Sequence, residues 1–173
     1  MILIGFGSNM TGLWGLPAST LYTACKRLQQ AGVRIRAFSP LYETTPLGPE
    51  QPTYVNAAAR IETALTPFAL LSVLKRLERE AGRRPGKRWG PRPLDIDILD
   101  CRGLIVNWRL RPRPTPNARA RLVLPHAGLH ERPFALAPVA AVAPRWTHPV
   151  WRKPAGALLA RLKTRDGAVI RRP

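Results

Sequence analysis

The order of apolar patterns along this chain is the feature that most limits how it can fold. Segments with strand-like composition alternate with segments whose apolar residues recur at helical spacing, and Gly and Pro separate them. In chain order they predict a strand over residues 2–6, a helix from Ser19 or Thr20 to about Ala31, strands over 33–42 and 54–63, a helix from Thr66 to near Gly82, and a strand over 94–99. The order β-α-β-β-α-β predicts an α+β domain with a mainly antiparallel sheet and helices on one face.

Two further parts of the chain lie outside this alternation. Residues 108–121 are rich in Pro and Arg and predict an exposed insertion, whereas residues 133–142 predict a third helix. The tail beyond Pro144 predicts a helix over 157–162 and a final short strand. The length of 173 residues fits one domain over residues 1–173, with 108–121 as the insertion and 145–173 as a variable C-terminal tail.

Charge is the most unusual property of the composition. The chain has 28 Lys and Arg residues against 10 Asp and Glu residues, which gives a formal net charge of +18. Such an excess attracts polyanions, whether nucleic acid, acidic lipid or nucleotide phosphates, but it also occurs as a solvated surface. Charge alone leaves these alternatives open.

The cysteine count and the apolar segments bear on the compartment. Cys25 and Cys101 are too few for a disulfide framework, and we expect both to be reduced. The start of the chain lacks the basic region and long apolar core of a signal peptide, and the apolar stretches are too short to span a bilayer. We therefore expect a cytoplasmic protein without membrane contact.

The sequence Asp95-Ile96-Asp97 is the sharpest candidate for chemistry. On a strand, residues i and i+2 share a face, so both carboxylates project together while Leu94, Ile96 and Ile98 face the core. Two close negative charges are costly unless a cation neutralises them, and Mg²⁺ bridged to substrate phosphates is a natural choice. The alternative is two solvent-facing acids on an exposed strand.

The segment that precedes this acidic pair is strongly basic. Residues 82–92 carry five Lys and Arg side chains and Trp89, in a stretch whose Gly and Pro residues predict a mobile loop. Phosphoryl-type transfer uses guanidinium groups beside a metal site, because they bind phosphates and stabilise developing charge. The alternative is a solvated basic loop, but such a loop does not explain why Trp89 and the two acids lie at its end.

Several other catalytic motifs are not found. The spacing in residues 82–87 is wrong for a P-loop, and Gly5-Phe6-Gly7 lacks the third glycine of a dinucleotide fingerprint. His126 and His130 are four residues apart, but no further ligands accompany them, so zinc is not expected.

A set of motifs resembles one known family. In chain order the motifs are Gly7-Ser8-Asn9, Tyr42-x-Thr44, Gly48-Pro49, Gln51-Pro52-x-Tyr54-x-Asn56, Glu62-Thr63, Arg88-Trp89-Gly90-Pro91-Arg92-x-Leu94-Asp95-Ile96-Asp97 and Leu124-Pro125-His126…Arg132-x-Phe134. From about residue 2 to Pro144, this set resembles the 6-hydroxymethyl-7,8-dihydropterin pyrophosphokinase family of folate biosynthesis. The run from Arg88 to Asp97 is its most specific part.

The resemblance implies a fold, a reaction and a set of site residues. It implies a ferredoxin-like monomer that moves a diphosphate from ATP, with two Mg²⁺ ions, onto the hydroxymethyl group of 6-hydroxymethyl-7,8-dihydropterin and releases AMP. By this resemblance Asp95 and Asp97 bind the Mg²⁺ ions, and Arg83 and Arg92 contact the phosphates and assist transfer. The implied pterin-site residues are Thr44, Leu47, Tyr54, Asn56, Trp89 and Phe134, with Tyr54 and Phe134 on the two faces of the ring. The implied ATP-site residues are Glu78, Arg88, Arg92, Ile98, Arg121, His126 and Arg132.

The sequence departs from the family pattern at a few positions. Thr45 stands where the family usually has a second Pro, and Ala127 replaces a residue that is frequently larger. The loop between Gly82 and Trp89 is one residue shorter than usual, and the segment 108–121 is longer. None of these differences removes an implied metal ligand or both phosphate-binding arginines, so we expect activity.

Two other functions stay open on the sequence alone. The charge of +18 suits a basic nucleic-acid-binding domain on a ferredoxin-like sheet, which would show exposed aromatic residues on the sheet face and salt-sensitive RNA binding. An aromatic content of 7% disfavours that function. An inactive relative that serves as a binding module is the other alternative, and the intact acids and arginines argue against it.

Overall fold

The structure is a computed structural model that describes residues 1–45, 51–84, 90–108 and 122–163. Its elements are β1 (Ile2–Ser8), α1 (Pro17–Gln30), β2 (Arg34–Phe38), β3 (Tyr42–Thr44), β4 (Tyr54–Glu62), α2 (Pro67–Glu80), β5 (Asp95–Cys101), a 3₁₀ turn (Leu129–Glu131), α3 (Pro133–Val142) and α4 (Ala155–Lys163). Most of the predicted insertion, residues 109–121, lies outside the described residues, as does the predicted final strand. Within the described ranges, no helix combines the length and the apolar character needed to cross a membrane.

The strands form one antiparallel sheet in the order β2-β4-β1-β5, and β3 also pairs with β4. β2 and β3 lie one after the other along the same side of β4, so together they act as one edge strand. The α+β fold with the order β-α-β-β-α-β is therefore confirmed.

The predicted strand over 33–42 is divided into β2 and β3. The break falls at Ser39 and Pro40, and Pro40 has no N–H to donate to a ladder. Ser39 partly replaces the missing pairing, because its Oγ accepts a hydrogen bond from the backbone N–H of Ala58 at 3.0 Å. The register also shifts between Ile35 and Ala37, as it does at a β-bulge.

The two long helices begin in different ways. α2 begins as predicted, because Thr66 is its N-cap and accepts a hydrogen bond from the N–H of Ala69 at 3.3 Å. The predicted cap of α1 at Ser19 or Thr20 is wrong. α1 begins at Pro17, whose fixed φ suits the first helical position, and the Thr20 hydroxyl instead donates to the carbonyl of Gly15 at 3.2 Å.

Helices cover both faces of the sheet. α1 and α2 pack on the face formed by Ile2, Ile4 and Phe6, as the prediction of helices on one face requires. α3 and α4, which the sequence also predicts as helices, cover the other face, where Leu3 is fully buried. Successive strand residues point to opposite faces, so the uninterrupted apolar run of β1 is the signal for two covered faces. The second helical layer ends short of the C-terminal part of β1 and leaves a cleft there.

Candidate active site

The cleft lies over β1, β4 and β5, on the sheet face that α3 partly covers. It has a volume of about 320 Å³. Gly7 lies beside Asn56 of β4 on one side and Asp95 of β5 on the other, and Gly5 lies beside Asp97. A Cβ atom at Gly7 would come within 3.1 Å of the Asn56 Oδ1 atom. Because Gly5 and Gly7 have no side chains, the floor of the cleft stays open between the Asn56 amide of β4 and the Asp95 and Asp97 carboxylates of β5.

Asp95 and Asp97 project into this cleft together. Both line it, whereas Leu94, Ile96 and Ile98 are buried in the core against the opposite face, which confirms the predicted alternation. The side chain of Ile98, which the family resemblance implied for the ATP site, is therefore buried in the core on the face opposite the cleft.

Two arginines hold the Asp95 carboxylate. Arg83 donates to its Oδ1 atom and Arg92 to its Oδ2 atom, each at 2.5 Å. Burial on its own would raise the pKa of Asp95, but the positive charges of Arg83, Arg92 and Lys75 outweigh it and lower the pKa below the usual value. Asp95 is therefore a carboxylate at neutral pH, with a guanidinium on each oxygen.

Asp97 has a more open environment. Its Oδ1 atom lies 3.5 Å from the Lys75 ammonium, and its Oδ2 atom lies 3.8 Å from the Nε2 atom of His126. The His126 Nδ1 atom accepts a hydrogen bond from the N–H of Gly128 at 3.2 Å, which leaves the proton of a neutral imidazole on Nε2. Burial lowers the pKa of His126, against the opposing effect of Asp97, so the imidazole is neutral near pH 7.

Glu78 supports the acidic pair from α2. Its side chain is 4% exposed, and its carboxylate accepts from the Ile96 N–H at 2.8 Å and the Lys75 ammonium at 2.7 Å and pairs with Arg83 at 2.6 Å. Burial raises the pKa of Glu78 to about 7, although Lys75 and Arg83 oppose the shift. Lys75 also donates to the carbonyl of Ile96 at 3.2 Å. Two side chains of α2 thus bind the backbone N–H and the carbonyl of Ile96 in β5.

Lys75 was not among the residues predicted from the sequence. It lies three residues before Glu78, so the two side chains share one side of α2. The i, i+3 spacing of a Lys and a buried Glu was the signal available in the sequence. The leucines of the same helix indicate only its core-facing side.

The other end of the cleft combines aromatic and amide side chains. Tyr54, Asn56 and Phe134 all line it, together with Thr44. The Asn56 Nδ2 atom donates to the Thr44 hydroxyl at 2.7 Å, which fixes the orientation of the amide. Arg132 precedes α3 and its guanidinium lies 5.8 Å from the centroid of the Phe134 ring. A planar ligand with donors and acceptors on its edge fits this combination of groups.

Asn9 joins the segments on both sides of the cleft, a role that was not predicted from the sequence. Its backbone N–H donates to the carbonyl of Arg92 at 3.1 Å, and its Oδ1 atom accepts from the N–H of Arg92 at 2.7 Å. Its Nδ2 atom donates to Gln51 Oε1 at 3.0 Å and to the carbonyl of Pro52 at 3.2 Å. Asn9 is 2% exposed, so these bonds are shielded from water. It fixes the segment that carries Arg92 relative to the segment that leads into Tyr54.

Most of the implied site residues therefore come together in one cleft. Those that line it are Thr44, Tyr54, Asn56, Arg92, Asp95, Asp97, His126, Arg132 and Phe134. Arg83 and Glu78 reach it through the ion pairs with Asp95 and Lys75. The side chain of Ile98 lies in the core instead. The remaining implied residues, Leu47, Arg88, Trp89 and Arg121, lie outside the described residues.

The carboxylate oxygens of Asp95 and Asp97 suit a hard divalent cation whose other ligands come from the substrate and water. Within the described ranges, no group of three or more His, Cys, Asp and Glu side chains could hold a metal ion by itself. Asp95 and Asp97 supply carboxylate oxygens on one side, and Mg²⁺ is commonly held by one or two carboxylates together with substrate phosphates and water. These residues therefore fit a metal ion that arrives with a phosphorylated substrate.

An antiparallel α+β fold with acids, guanidinium groups and a flat-ligand pocket in one cleft is an arrangement suited to phosphoryl-type transfer. A family model described as 7,8-dihydro-6-hydroxymethylpterin-pyrophosphokinase (HPPK) matches residues 3–144. The match spans most of the chain and includes every residue assigned to the cleft. The chain belongs to this family.

Individual relatives agree with the family match. The chain is 38% identical over 142 residues to the 2-amino-4-hydroxy-6-hydroxymethyldihydropteridine pyrophosphokinase of Haemophilus influenzae, which covers 81% of this chain and 79% of that protein. It is 40% identical over 143 residues to the protein of the same name from Methylorubrum extorquens, covering 82% and 81%. It is also 38% identical over 139 residues to a mitochondrial folate synthesis bifunctional protein of Arabidopsis thaliana, covering 80% of this chain but 22% of that protein.

Solved structures support the fold. The chain superposes on the HPPK-DHPS protein of Plasmodium falciparum with a TM-score of 0.70 at 14% identity, covering 96% of this chain and 44% of that one. This likeness concerns the fold alone. The match thus spans about four fifths of the Haemophilus influenzae and Methylorubrum extorquens proteins and less than half of the two bifunctional proteins.

Proposed function

We propose that this chain transfers the terminal diphosphate of ATP to the hydroxymethyl group of 6-hydroxymethyl-7,8-dihydropterin and releases AMP, as a step of folate biosynthesis. The observation that supports this most directly is the cleft itself. It combines the Asp95 and Asp97 carboxylates and their arginines at one end with Tyr54, Asn56 and Phe134 at the other. Membership of the family is the second support.

The reaction makes and breaks one bond to phosphorus. The pterin hydroxyl oxygen attacks the β-phosphorus of ATP, the bond from that phosphorus to the α,β-bridging oxygen breaks, and AMP leaves with that oxygen. The hydroxyl proton is released to solvent. Asp95 and Asp97 would hold two Mg²⁺ ions, which when bound neutralise phosphate charge and align the phosphates.

Arg83 and Arg92 would bind the charge that develops on the phosphates. A guanidinium binds phosphate oxygens through two parallel N–H groups, and it stays charged at any working pH. Both guanidinium groups lie 2.5 Å from Asp95 oxygens, within reach of phosphates that approach the same carboxylate. His126 and Arg132 also line the cleft and would contact the nucleotide.

Tyr54 and Phe134 would hold the pterin ring between their faces, and Asn56 would bind its edge. Because the Asn56 Nδ2 atom already donates to Thr44, the Oδ1 atom is oriented and free to accept from a ring N–H. We further propose that Leu47 and Trp89 complete the pterin site, that Glu78, Arg88 and Arg121 lie on the nucleotide side, and that the protein works as a cytoplasmic monomer.

The test is a product assay with the purified chain. The chain, incubated with ATP, Mg²⁺ and 6-hydroxymethyl-7,8-dihydropterin, should form AMP and pterin diphosphate. The formation of both products is measured by ³¹P NMR. Asp97→Ala should lower turnover by at least about 100-fold, because it removes a ligand for the charge-neutralising ions. Glu80→Ala, on the exposed side of α2, is the matched control and should be unchanged. ADP in place of AMP, or near-normal turnover in Asp97→Ala, would contradict the proposal.

The basic surface leaves one second candidate, a nucleic-acid-binding domain. The net charge of +18 favours it. Stacking of bases on a sheet needs an open face, however, and here α1 and α2 cover one face while α3 and α4 cover much of the other. RNA binding that persists at physiological salt, without pterin turnover, would support this candidate instead.

A further inference from the structure

Lys75 occupies the centre of the acidic cluster. Its ammonium nitrogen lies 2.7 Å from Glu78 Oε1, 3.5 Å from Asp97 Oδ1 and 4.0 Å from Asp95 Oδ1. Its side chain is 27% exposed, so these contacts are partly shielded from solvent. A cation at this point is a neighbour of both carboxylates that would ligate a metal ion.

Even with all three of its carboxylates ionised, the cluster carries no net negative charge in the absence of a metal ion. Three carboxylates, those of Glu78, Asp95 and Asp97, lie among the cations of Lys75, Arg83 and Arg92, and each carboxylate has a cationic nitrogen within 4.0 Å. A divalent ion that approaches the acidic pair alone meets a cluster without net negative charge and the positive charge of Lys75. Phosphates would supply the negative charge that makes its binding favourable.

Lys75 differs from the two arginines in how it is held. Arg83 follows the end of α2 and Arg92 precedes β5, so both belong to connecting segments. Lys75 belongs to α2 itself, and its ammonium is bonded to Glu78 and to the carbonyl of Ile96. Phosphates that enter the cleft would compete with Asp95 for the guanidinium groups, whereas Lys75 has two contacts outside the acidic pair, with Glu78 and the Ile96 carbonyl.

From this geometry we propose that Lys75 is a positioning residue: a fixed counter-ion of the Asp95 and Asp97 pair that makes metal binding depend on nucleotide phosphates. The proposal rests on the proposed function, since it assumes that these acids bind the metal of a nucleotide substrate. It assigns to Lys75 no contact with the pterin and no part in bond breaking.

The test measures metal binding rather than turnover. Binding of Mn²⁺ to the full chain is followed by electron paramagnetic resonance of the free ion, with and without α,β-methylene-ATP. The wild-type chain should bind Mn²⁺ much more tightly with the analogue than without it. Lys75→Gln should bind Mn²⁺ about tenfold or more tightly in the absence of nucleotide, because it removes a positive charge next to the ligands. The difference in Mn²⁺ affinity with and without the analogue should therefore be smaller in Lys75→Gln than in the wild type.

Two further variants make the result specific to the charge at this position. Arg76→Gln removes a positive charge from the adjacent, exposed position of α2 and should leave Mn²⁺ binding unchanged. Lys75→Arg retains the charge and should behave like the wild type, which also covers the case that Lys75→Gln folds poorly. Circular dichroism checks the fold of each variant.

Three outcomes would overturn the proposal. These are nucleotide-independent Mn²⁺ binding by the wild type, unchanged Mn²⁺ affinity in a folded Lys75→Gln variant, or the same gain in Lys75→Arg. Failure of the proposed function appears elsewhere, as a lack of AMP formation by the wild type. The two failures are therefore distinguishable.

Discussion

Replacing Asn9 with Ala tests whether the cleft depends on a clamp between distant loops. The substitution removes three hydrogen bonds of the buried side chain, those with Arg92, Gln51 and Pro52 at 2.7–3.2 Å. At about 0.5–1.5 kcal/mol for each bond, the free energy of unfolding should fall by about 1.5–4.5 kcal/mol. The segments on both sides of the cleft also lose their common anchor. We therefore expect the KM for pterin to rise and kcat to fall in the same variant.

The assay combines urea denaturation with steady-state kinetics of AMP formation. Ser39→Ala is the control, because Ser39 is also buried and its hydroxyl makes hydrogen bonds at the break between β2 and β3. It should lose stability without a comparable change in KM. An Asn9→Ala variant that loses stability but keeps both kinetic constants would refute the clamp, and Asn9 would then matter for folding alone.

Further predictions concern the floor of the cleft and the C-terminal core. Gly7→Ala should raise the KM for pterin on the order of tenfold, because its Cβ atom lies 3.1 Å from Asn56 Oδ1 and shifts the amide. Gly156→Ala, where a Cβ meets nothing within 4 Å, should have no such effect. Burial lowers the pKa of His148 to about 4 from 6.5, with a smaller contribution from His130. The stability due to neutral His148 is present above pH 6.5 and falls by up to about 1.4 kcal/mol per pH unit toward pH 4. His148→Asn should reduce this slope in urea titrations at pH 7 and pH 5, and an unchanged slope would contradict the assignment.

The parts of the molecule that were predictable are those set by local periodicity. The alternation through Leu94, Ile96 and Ile98 put Asp95 and Asp97 on the opposite face, because side chains alternate along any strand. The start of α2 followed from a cap and a proline next to each other. Such signals need no knowledge of the rest of the chain.

The parts that were missed depend on contacts between distant segments. Lys75 meets Asp97 across 22 residues of sequence, and Asn9 meets Arg92 across 83. Neither contact has a local pattern. The spacing of His126 and His130 is uninformative for another reason, because four residues bring side chains together only within an α-helix. Here a 3₁₀ turn follows His126, so it faces Asp97 while His130 packs against Trp151, with ring centroids 5.1 Å apart.

The bonds from Glu78 and Lys75 to the backbone of Ile96 have a consequence for solubility. In the described part of the sheet β5 is the outermost strand, and an outermost strand with free N–H and C=O groups is a template for pairing with another molecule. The two α2 side chains occupy the groups of Ile96 that a second strand would use. The same ion pairs that organise the acidic cluster therefore also protect the domain from aggregation. Glu78→Ala, which removes the acceptor for the Ile96 N–H, should therefore increase self-association.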